Sequence, residues 1–290
     1  MNESNTSRLD VLKTYKLYIG GKFPRTESGR YYKLESNGET IANMCQASRK
    51  DFREAVVAAR AAQSGWASRS AYNRSQILYR IAEMLEGRAD QFVGELVQTG
   101  ADENSARTEV AASIDRLVYY AGWADKYQQI FSSVNPVASS HFNFSIPEPT
   151  GVVSIIAPEG SGLAGLISVI APAITGGNTC VVLASNSKPL SAVTLAEVLH
   201  TSDLPGGVVN ILTGDRDELV EQFSSHMDVN AVIYCGDDAA QIETVRATVA
   251  LNVKRAIIHE RTDWLDENAQ GPYAIRDTIE IKTTWHPIGQ

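Results

Sequence analysis

The amino-acid sequence predicts an α/β fold in which helices flank a parallel β-sheet. From Gly151 onward, short apolar runs alternate with longer segments of helical periodicity. Residues 155–185, for example, read as a strand, a glycine-rich turn, a helix and a second strand. This order is typical of parallel strands joined by right-handed helical crossovers. The predicted strands are Val152–Ala157, Thr179–Leu183, Val208–Leu212, Ala231–Tyr234 and Arg255–His259.

The part of the chain before this sheet carries a hairpin signal and a series of amphipathic helices. The segment KLYIGGKF (residues 16–23) places apolar residues around Gly20 and Gly21, which predicts a hairpin, and the extended run TIANMCQAS follows. Ser48 and Asp51 then have the spacing of a helix-capping box. We interpret the apolar stripes of the following helices as core packing. These stripes include Phe52, Ala55, Val56 and Ala59; Ile77, Leu78, Ile81 and Leu85; Phe92, Val93 and Leu96; and Ile114, Leu117, Val118 and Ala121.

Composition limits the classes of partner and compartment. The chain of 290 residues has a formal net charge of −8, which disfavours nucleic acid and anionic membranes as partners. No apolar run approaches the roughly 18 residues of a membrane helix, and the polar N-terminus predicts a flexible tail over 1–15 rather than a secretory signal. Cys45, Cys180 and Cys235 match no zinc or disulfide spacing, so we expect no metal site and a reducing, cytoplasmic setting.

Two further segments have the character of exposed strands. HFNFSI (residues 141–146) alternates with a period of two, and Pro147 and Pro149 are expected to interrupt it. ERTDWLDENAQGPY is polar and rich in turn residues, which predicts a linker. TIEIKTTWHP (residues 278–287) then predicts a final exposed strand, in which Trp285 is a candidate interface anchor.

A glycine pattern in the first crossover raises the possibility of a dinucleotide site. Gly160, Gly162 and Gly165 form G-x-G-x-x-G between a predicted strand and a helix. A dinucleotide-binding turn also needs an acidic residue near the end of the next strand, and residues 183–186 offer no carboxylate. Lys188 could face a 2′-phosphate, although one lysine after a strand is common. The pattern therefore favours a tight turn that allows close helix–strand packing, with dinucleotide binding as the alternative.

Several ordered blocks of the sequence resemble the aldehyde dehydrogenase superfamily. They include YIGGKF, EPTGVVSIIAP, IAPAITGGNT, LPGGVVNILTG, HMDVNAVIYCG, NVKRAII and TIEIKTTW, and the resemblance covers about residues 16–259 and 278–287. It implies a Rossmann-like cofactor-type domain over 16–138 and 151–260, a linker over 261–272, and oligomerisation strands within 139–150 and 273–290. The family's catalytic domain, which carries its nucleophilic cysteine, has no counterpart in this sequence, so we expect a degenerate, truncated member.

The resemblance also implies that the family's functional positions are altered. Gly160 stands where the family has its oxyanion asparagine, and His259 stands where it has its general-base glutamate. Of the family's Lys-Pro-Ser-Glu, which holds the adenosine ribose, only Ser185 is retained. The family's Phe-Thr-Gly-Ser is represented by residues 234–237, with Gly236 retained and with Asp237 and Asp238 expected to cap the next helix. We therefore predict no catalytic residue and regard Ser185 and Gly236 as vestigial cofactor positions.

Together these features predict a non-catalytic aldehyde dehydrogenase-like subunit without a cofactor. It resembles the incomplete second unit of long two-unit aldehyde dehydrogenases. Its expected partner is a full-length aldehyde dehydrogenase or a second copy, contacted through 139–150 and 278–287. Two alternatives are an oxidoreductase that uses NAD or NADP and a partner's cysteine, and a regulatory module that senses the nucleotide by weak binding.

Overall fold

A computed structural model describes residues 11–289 of the chain, and within them it contains three β-sheets and ten α-helices. The strands are β1 (Thr14–Tyr15), β2 (Tyr31–Ser36), β3 (Glu39–Cys45), β4 (Ser133–Asn135), β5 (His141–Pro149), β6 (Val152–Ile156), β7 (Thr179–Leu183), β8 (Val209–Leu212), β9 (Ala231–Cys235), β10 (Arg255–His259) and β11 (Ile279–Pro287). The helices are α1 (Arg49–Ala67), α2 (Ala71–Glu86), α3 (Ala89–Gln98), α4 (Glu103–Ala121), α5 (Tyr127–Phe131), α6 (Ala164–Thr175), α7 (Leu190–His200), α8 (Arg216–Ser225), α9 (Ala239–Val249) and α10 (Pro272–Arg276). Across these residues, no helix combines the length and apolar character needed to cross a membrane.

The central sheet confirms the predicted α/β fold. Its five strands are all parallel and lie in the order β10-β9-β6-β7-β8. Each strand lies within one residue of its predicted bounds. They were recognisable because strands buried on both faces read as continuous apolar runs.

Two hydrophobic cores cover the two faces of this sheet. Val153 and Ile155 of β6 pack into one core, whereas Val152 and Ile156 pack into the other. The first core also receives apolar side chains from α2, α3, α4, α6 and α7, and the second receives them from α1, α8 and α9. Alternate residues of each strand therefore serve opposite layers, as the period of two requires.

The N-terminal region agrees with most of the local predictions. Ile19 and Lys22 exchange backbone hydrogen bonds around Gly20 and Gly21, which both have positive φ, so the predicted hairpin turn is present. The capping box at Ser48 is also present. The predicted tail over 1–15 is wrong at its end, because β1 pairs with β3, and residues 1–10 lie outside the described residues.

The chain has two small sheets, with strand orders β1-β3-β2 and β11-β5-β4. The β11-β5-β4 sheet joins the two predicted exposed strands. The prolines do not interrupt β5, which continues to Pro149 and pairs with β11 along its full length. Thr150 donates its N–H to the carbonyl of Thr278, so the even-numbered residues of β5 direct their backbone groups toward β11. The odd-numbered residues, which include Pro147 and Pro149, therefore direct their nitrogens away from β11. On that side β4 pairs only as far as Ser145, so no ladder hydrogen bond is lost.

The predicted linker over 261–272 is a packed segment. Trp264 is only 9% exposed and belongs to the first core, and α10 begins at Pro272. Arg116 of α4 anchors the segment, because its buried guanidinium donates to the carbonyls of Trp264 and Asp266 at 2.5 and 3.2 Å. Polar composition concealed this packing, since Trp264 is the only buried residue between positions 261 and 272.

Candidate functional site

A cleft lies at the carboxyl ends of β6, β9 and β10, which is where open parallel sheets bind ligands. Its volume is about 700 Å³. Strand ends, the glycine-rich turn before α6, the first residues of α8 and α9, and the segment after β10 form its walls. Charged groups from several of these elements meet in it, namely Glu109, Glu159, Arg216, Asp237, Asp238, Arg261 and Asp263.

Glu159 occupies the hydrogen-bond donors that follow β7. Its carboxylate accepts from the Ser185 hydroxyl at 2.8 Å and from the Asn186 backbone N–H at 3.0 Å. It also accepts from the hydroxyl of Ser187 at 3.1 Å and from the backbone N–H of that residue at 3.3 Å. The retained family serine is therefore bound to a side chain of this chain, at the position that the resemblance assigns to the ribose clamp.

Arg216, at the start of α8, crosses the floor of the cleft. Its guanidinium donates to the carbonyl oxygens of Ala157 and Cys235, and its Nε lies 3.5 Å from a carboxylate oxygen of Glu159. It also lies over the ring of Tyr234, with 5.8 Å between the guanidinium carbon and the ring centroid. The arginine thus links the ends of β6 and β9 and pairs with the carboxylate that covers the end of β7.

The pKa of Glu159 reflects this setting. Burial raises the pKa, but hydrogen bonds from Asn186 and Ser185 and the charge of Arg216 outweigh it, so the pKa lies below its usual range. The carboxylate is therefore ionised at neutral pH. Lys188 is not a free cation for a phosphate either, because its Nζ donates to the carbonyl of Gly160 at 2.8 Å.

A second carboxylate caps the helix that follows the glycine-rich turn. Oε1 of Glu109, which projects from α4, accepts from the backbone N–H groups of Leu163 and Ala164 at 2.9 and 3.1 Å. It also accepts from the Ser161 hydroxyl at 2.7 Å. A helix N-terminus favours an anion, and here the protein supplies that anion itself.

Close packing leaves no room for a side chain at two of the three glycines of the turn. A Cβ on Gly165 would lie 2.7 Å from Cγ of Pro158, and one on Gly162 would lie 3.1 Å from the Ser191 hydroxyl. Gly160 has open space instead, so close packing does not explain it. None of the three has the positive φ that would require glycine.

The two aspartates after β9 differ in role. Asp238 caps α9, because its side chain accepts from the backbone N–H groups of Ala240 and Gln241. The expected capping by Asp237 is wrong, since α9 begins one residue too late for it, and its carboxylate lies 3.9 Å from Nε of Arg261 instead. Before them, Gly236 donates its N–H to the His259 carbonyl at 3.0 Å, and a Cβ there would lie 2.9 Å from the Tyr234 hydroxyl.

Comparison with known proteins decides the family. The model of the aldehyde dehydrogenase family matches residues 28–259. This chain belongs to the aldehyde dehydrogenase family. Two of its relatives are an aldehyde dehydrogenase of Emericella nidulans, 30% identical over 94% of this chain and 54% of the relative, and the cytosolic 10-formyltetrahydrofolate dehydrogenase of Mus musculus, 30% identical over 87% and 29%.

Solved structures of aldehyde dehydrogenases share the fold of this chain. An NAD⁺ complex of the enzyme from Bacillus cereus aligns with a TM-score of 0.81 at 25% identity, over 85% of this chain and 51% of that one. PnpE from Pseudomonas sp. WBC-3 aligns with a TM-score of 0.80 at 28% identity, over 84% and 50%. The chain spans about half the length of these solved structures and of the Emericella relative.

The residue that the resemblance places at the general-base position of the family is a strand-end histidine. His259 is the last residue of β10 and packs edge-on against Trp264, with ring centroids 5.3 Å apart. Burial lowers its pKa, so the ring is neutral at pH 7. The adjacent Glu260 does not line the cleft and lies in a separate depression beside α9, as expected for the opposite face of a strand.

The three cysteines are buried and do not form disulfides. Cys45, Cys180 and Cys235 are at most 2% exposed and pack in the two cores. Burial raises the pKa of the Cys180 and Cys235 thiols, which keeps them protonated. Over residues 11–289, no group of three or more His, Cys, Asp or Glu side chains is arranged to hold a metal ion.

Sequence reasoning did not identify the residues that fill the cleft. Glu109 and Arg216 carried no local signal, because α4 reads as an ordinary amphipathic helix and Arg216 as a charged residue at a helix start. Glu159 directly precedes Gly160, the altered oxyanion position, but its partners after β7 are distant in sequence. Only the fold brings these three residues to one edge of the sheet.

Proposed function

We propose that this chain is a non-catalytic member of the aldehyde dehydrogenase family that acts as an assembly subunit. The contact between Glu159, Arg216 and the end of β7 carries the first half of the proposal. The donors after β7 and the N-terminus of α9, which the family resemblance assigns to a cofactor, are here bound to the protein's own carboxylates, Glu159 and Asp238. An incoming dinucleotide would have to displace them before binding.

The residues present do not fit a nicotinamide dinucleotide. The phosphates would approach an edge of the sheet that already carries Glu109, Glu159, Asp237 and Asp238. The ribose would meet Ser185, whose hydroxyl already donates to Glu159, and would find no lysine or glutamate at the strand end. We therefore derive no hydride transfer in this chain.

The absence of a suitable nucleophile supports the same conclusion. Attack on an aldehyde needs an accessible thiolate, and all three thiols of this chain are enclosed in the cores. His259 is neutral at pH 7 and packs edge-on against Trp264. The thiol nearest to it in the sheet is that of Cys235, which is 1% exposed and has a pKa raised by burial, so it is not activated.

The second half of the proposal rests on the sheet β11-β5-β4. Apolar side chains on this sheet remain exposed, including Phe142, Ile146, Ile281 and Trp285 at 45%, 38%, 47% and 57%. Exposed apolar side chains on a sheet with free edges favour association with another chain. We propose that this sheet is the assembly surface.

Two measurements test the two halves. Aldehyde oxidation by the purified chain should be absent with NAD and with NADP, and turnover lost on replacing one of the three cysteines by serine would contradict the proposal. Deleting residues 281–290, which spares the buried Thr278 and Ile279, should leave the central sheet folded by circular dichroism but lower the mass measured by light scattering. A truncated protein that keeps its full assembly mass would contradict the role of the sheet.

A further inference from the structure

The outer edge of β11, on the side away from β5, has a short stretch of backbone N–H and C=O groups that pair with no other strand in the part of the chain that the structure describes. Arg255 donates to the carbonyl of Ile279 at 2.8 Å, and Thr150 donates to the carbonyl of Thr278 on the β5 side. Odd-numbered residues of β11 therefore direct their N–H and C=O groups away from β5. At the far end, Pro287 has no N–H to offer.

Three residues remain with both backbone groups facing outward. They are Ile281, Thr283 and Trp285, and within residues 11–289 β11 pairs with no strand other than β5. Arg255 limits this stretch on one side and Pro287 limits it on the other. Thr283 lies at its centre, so a two-fold axis through Thr283 maps the stretch onto itself in the antiparallel direction.

We infer that a second copy of this chain pairs with β11 through Thr283. The β11-β5-β4 sheets of the two copies then form one continuous sheet of six strands. This inference rests on the proposed assembly role and names the partner and the register. In this arrangement Thr283 lies opposite its own counterpart, and Ile281 lies opposite Trp285 of the second copy. Every outward backbone group of the three residues is then paired.

Side chains select the same register. Ile281 and Trp285 lie on one face of β11 and are exposed by 47% and 57%, and the two-fold axis packs each against the other in both halves of the interface. Cross-strand pairs of aromatic and β-branched residues stabilise sheets. On the opposite face Lys282 lies opposite Thr284, and its charge is already paired with Glu148.

Neighbouring registers are poorer. Moving the axis to Lys282 places two lysines directly opposite each other, which is destabilising, and pairs Trp285 with Ile279, whose carbonyl is bound to Arg255. Moving it to Thr284 places Ile281 opposite Pro287, which cannot donate. Only the axis at Thr283 matches donors, acceptors and apolar side chains together.

Cysteine cross-linking tests the register. In a hydrogen-bonded antiparallel pair the Cα atoms are about 5.5 Å apart, which is within the range of a disulfide. Thr283→Cys should therefore form a symmetric disulfide dimer under mild oxidation. Thr284→Cys is the matched control, because its counterpart is displaced by about two residues along the strand, roughly 7 Å, and it should cross-link at least ~10-fold more slowly given that spacing. The native cysteines are buried and contribute little background.

Sedimentation of the unmodified chain and of Trp285→Lys supplies a second, independent measurement. The unmodified chain should associate to a dimer, and Trp285→Lys should weaken the dimer at least ~10-fold. Val134→Lys is the control, because Val134 is exposed on β4 at the opposite edge of the sheet, and it should leave the dimer unchanged. Equal cross-linking at 283 and 284, or a chain that stays monomeric, would overturn the inference. A monomeric chain that binds a full-length aldehyde dehydrogenase through 278–290 would overturn self-pairing and leave the proposed function standing, whereas aldehyde turnover would overturn the function itself.

Discussion

The cleft at the central sheet and the outer edge of β11 are opposite in their use of polar groups. In the cleft, donors that could face a ligand are bound to Glu159 and Glu109, and Arg216 spans the carbonyls of two strands. At the β11 edge, backbone groups and apolar side chains remain exposed. The same family fold thus carries one region completed by internal contacts and one region whose outer backbone edge has no partner strand within residues 11–289.

The two regions differ in how much their contacts contribute to the stability of the folded chain. Filling a cleft with charged groups costs desolvation, and that cost is offset only where each charge finds good partners. Glu159 and Arg216 find them in each other and in backbone groups, so their contacts contribute to folding. Exposed Ile281 and Trp285 contribute little to folding alone, and their apolar surface is available for association.

Removing the arginine from the cleft should have the largest effect on stability. Arg216→Ala should lower the free energy of unfolding by ~3 kcal/mol, because it leaves Glu159 without its counter-charge and two carbonyls without a donor. Urea denaturation measures this loss. Arg261→Ala is the matched control, since that side chain is 86% exposed and should change stability by less than ~0.5 kcal/mol. Equal effects of the two substitutions would show that the cleft contacts are not structural.

Removing the charge of Glu159 should have a smaller effect that depends on pH. Glu159→Gln should lower stability by ~1–2 kcal/mol at pH 7, because the amide cannot accept from all the donors after β7. The folded pKa of Glu159 lies below its usual range, so its contribution is full above the unfolded value of about 4.3 and is lost as the pH falls through the folded value. The difference from the unmodified protein should therefore be constant from pH 5 to 8 and narrow below about pH 4. The exposed Glu54, changed to Gln, is the control, and a difference that widens in acid would contradict this account.

The sequence was informative where local pattern determines structure. The strands of the central sheet were predicted because burial on both faces requires unbroken apolar runs, and the capping box at Ser48 needs only neighbouring residues. The packed segment around Trp264 was not predicted, because its polar residues hide a single anchor that Arg116 holds from another helix. The closing of the cleft was missed for the same reason, since Glu109, Glu159 and Arg216 meet only through tertiary structure.

Changing the β11 edge should have the smallest effect on the stability of a single chain. Trp285→Ser should change the free energy of unfolding by less than ~0.5 kcal/mol when measured at concentrations below association, because the side chain is 57% exposed. The same substitution should clearly reduce the assembly mass in light scattering. Within the chain Trp285 packs edge-on against His141, with ring centroids 5.8 Å apart. A large loss of stability without a change in mass would mean that this internal contact is the main role of Trp285, and the contrast with the cleft would fail.

Closure of the cleft to dinucleotides by the protein's own side chains is tested most directly by calorimetric titration with NAD and NADP. We expect no binding tighter than about 1 mM for either cofactor, which corresponds to about −4 kcal/mol. A thermal-shift series at the same concentrations should agree, since bound ligand raises stability only when its concentration exceeds the dissociation constant. Binding of either cofactor at tens of micromolar would contradict the account and would instead support a nucleotide-sensing role for this cleft.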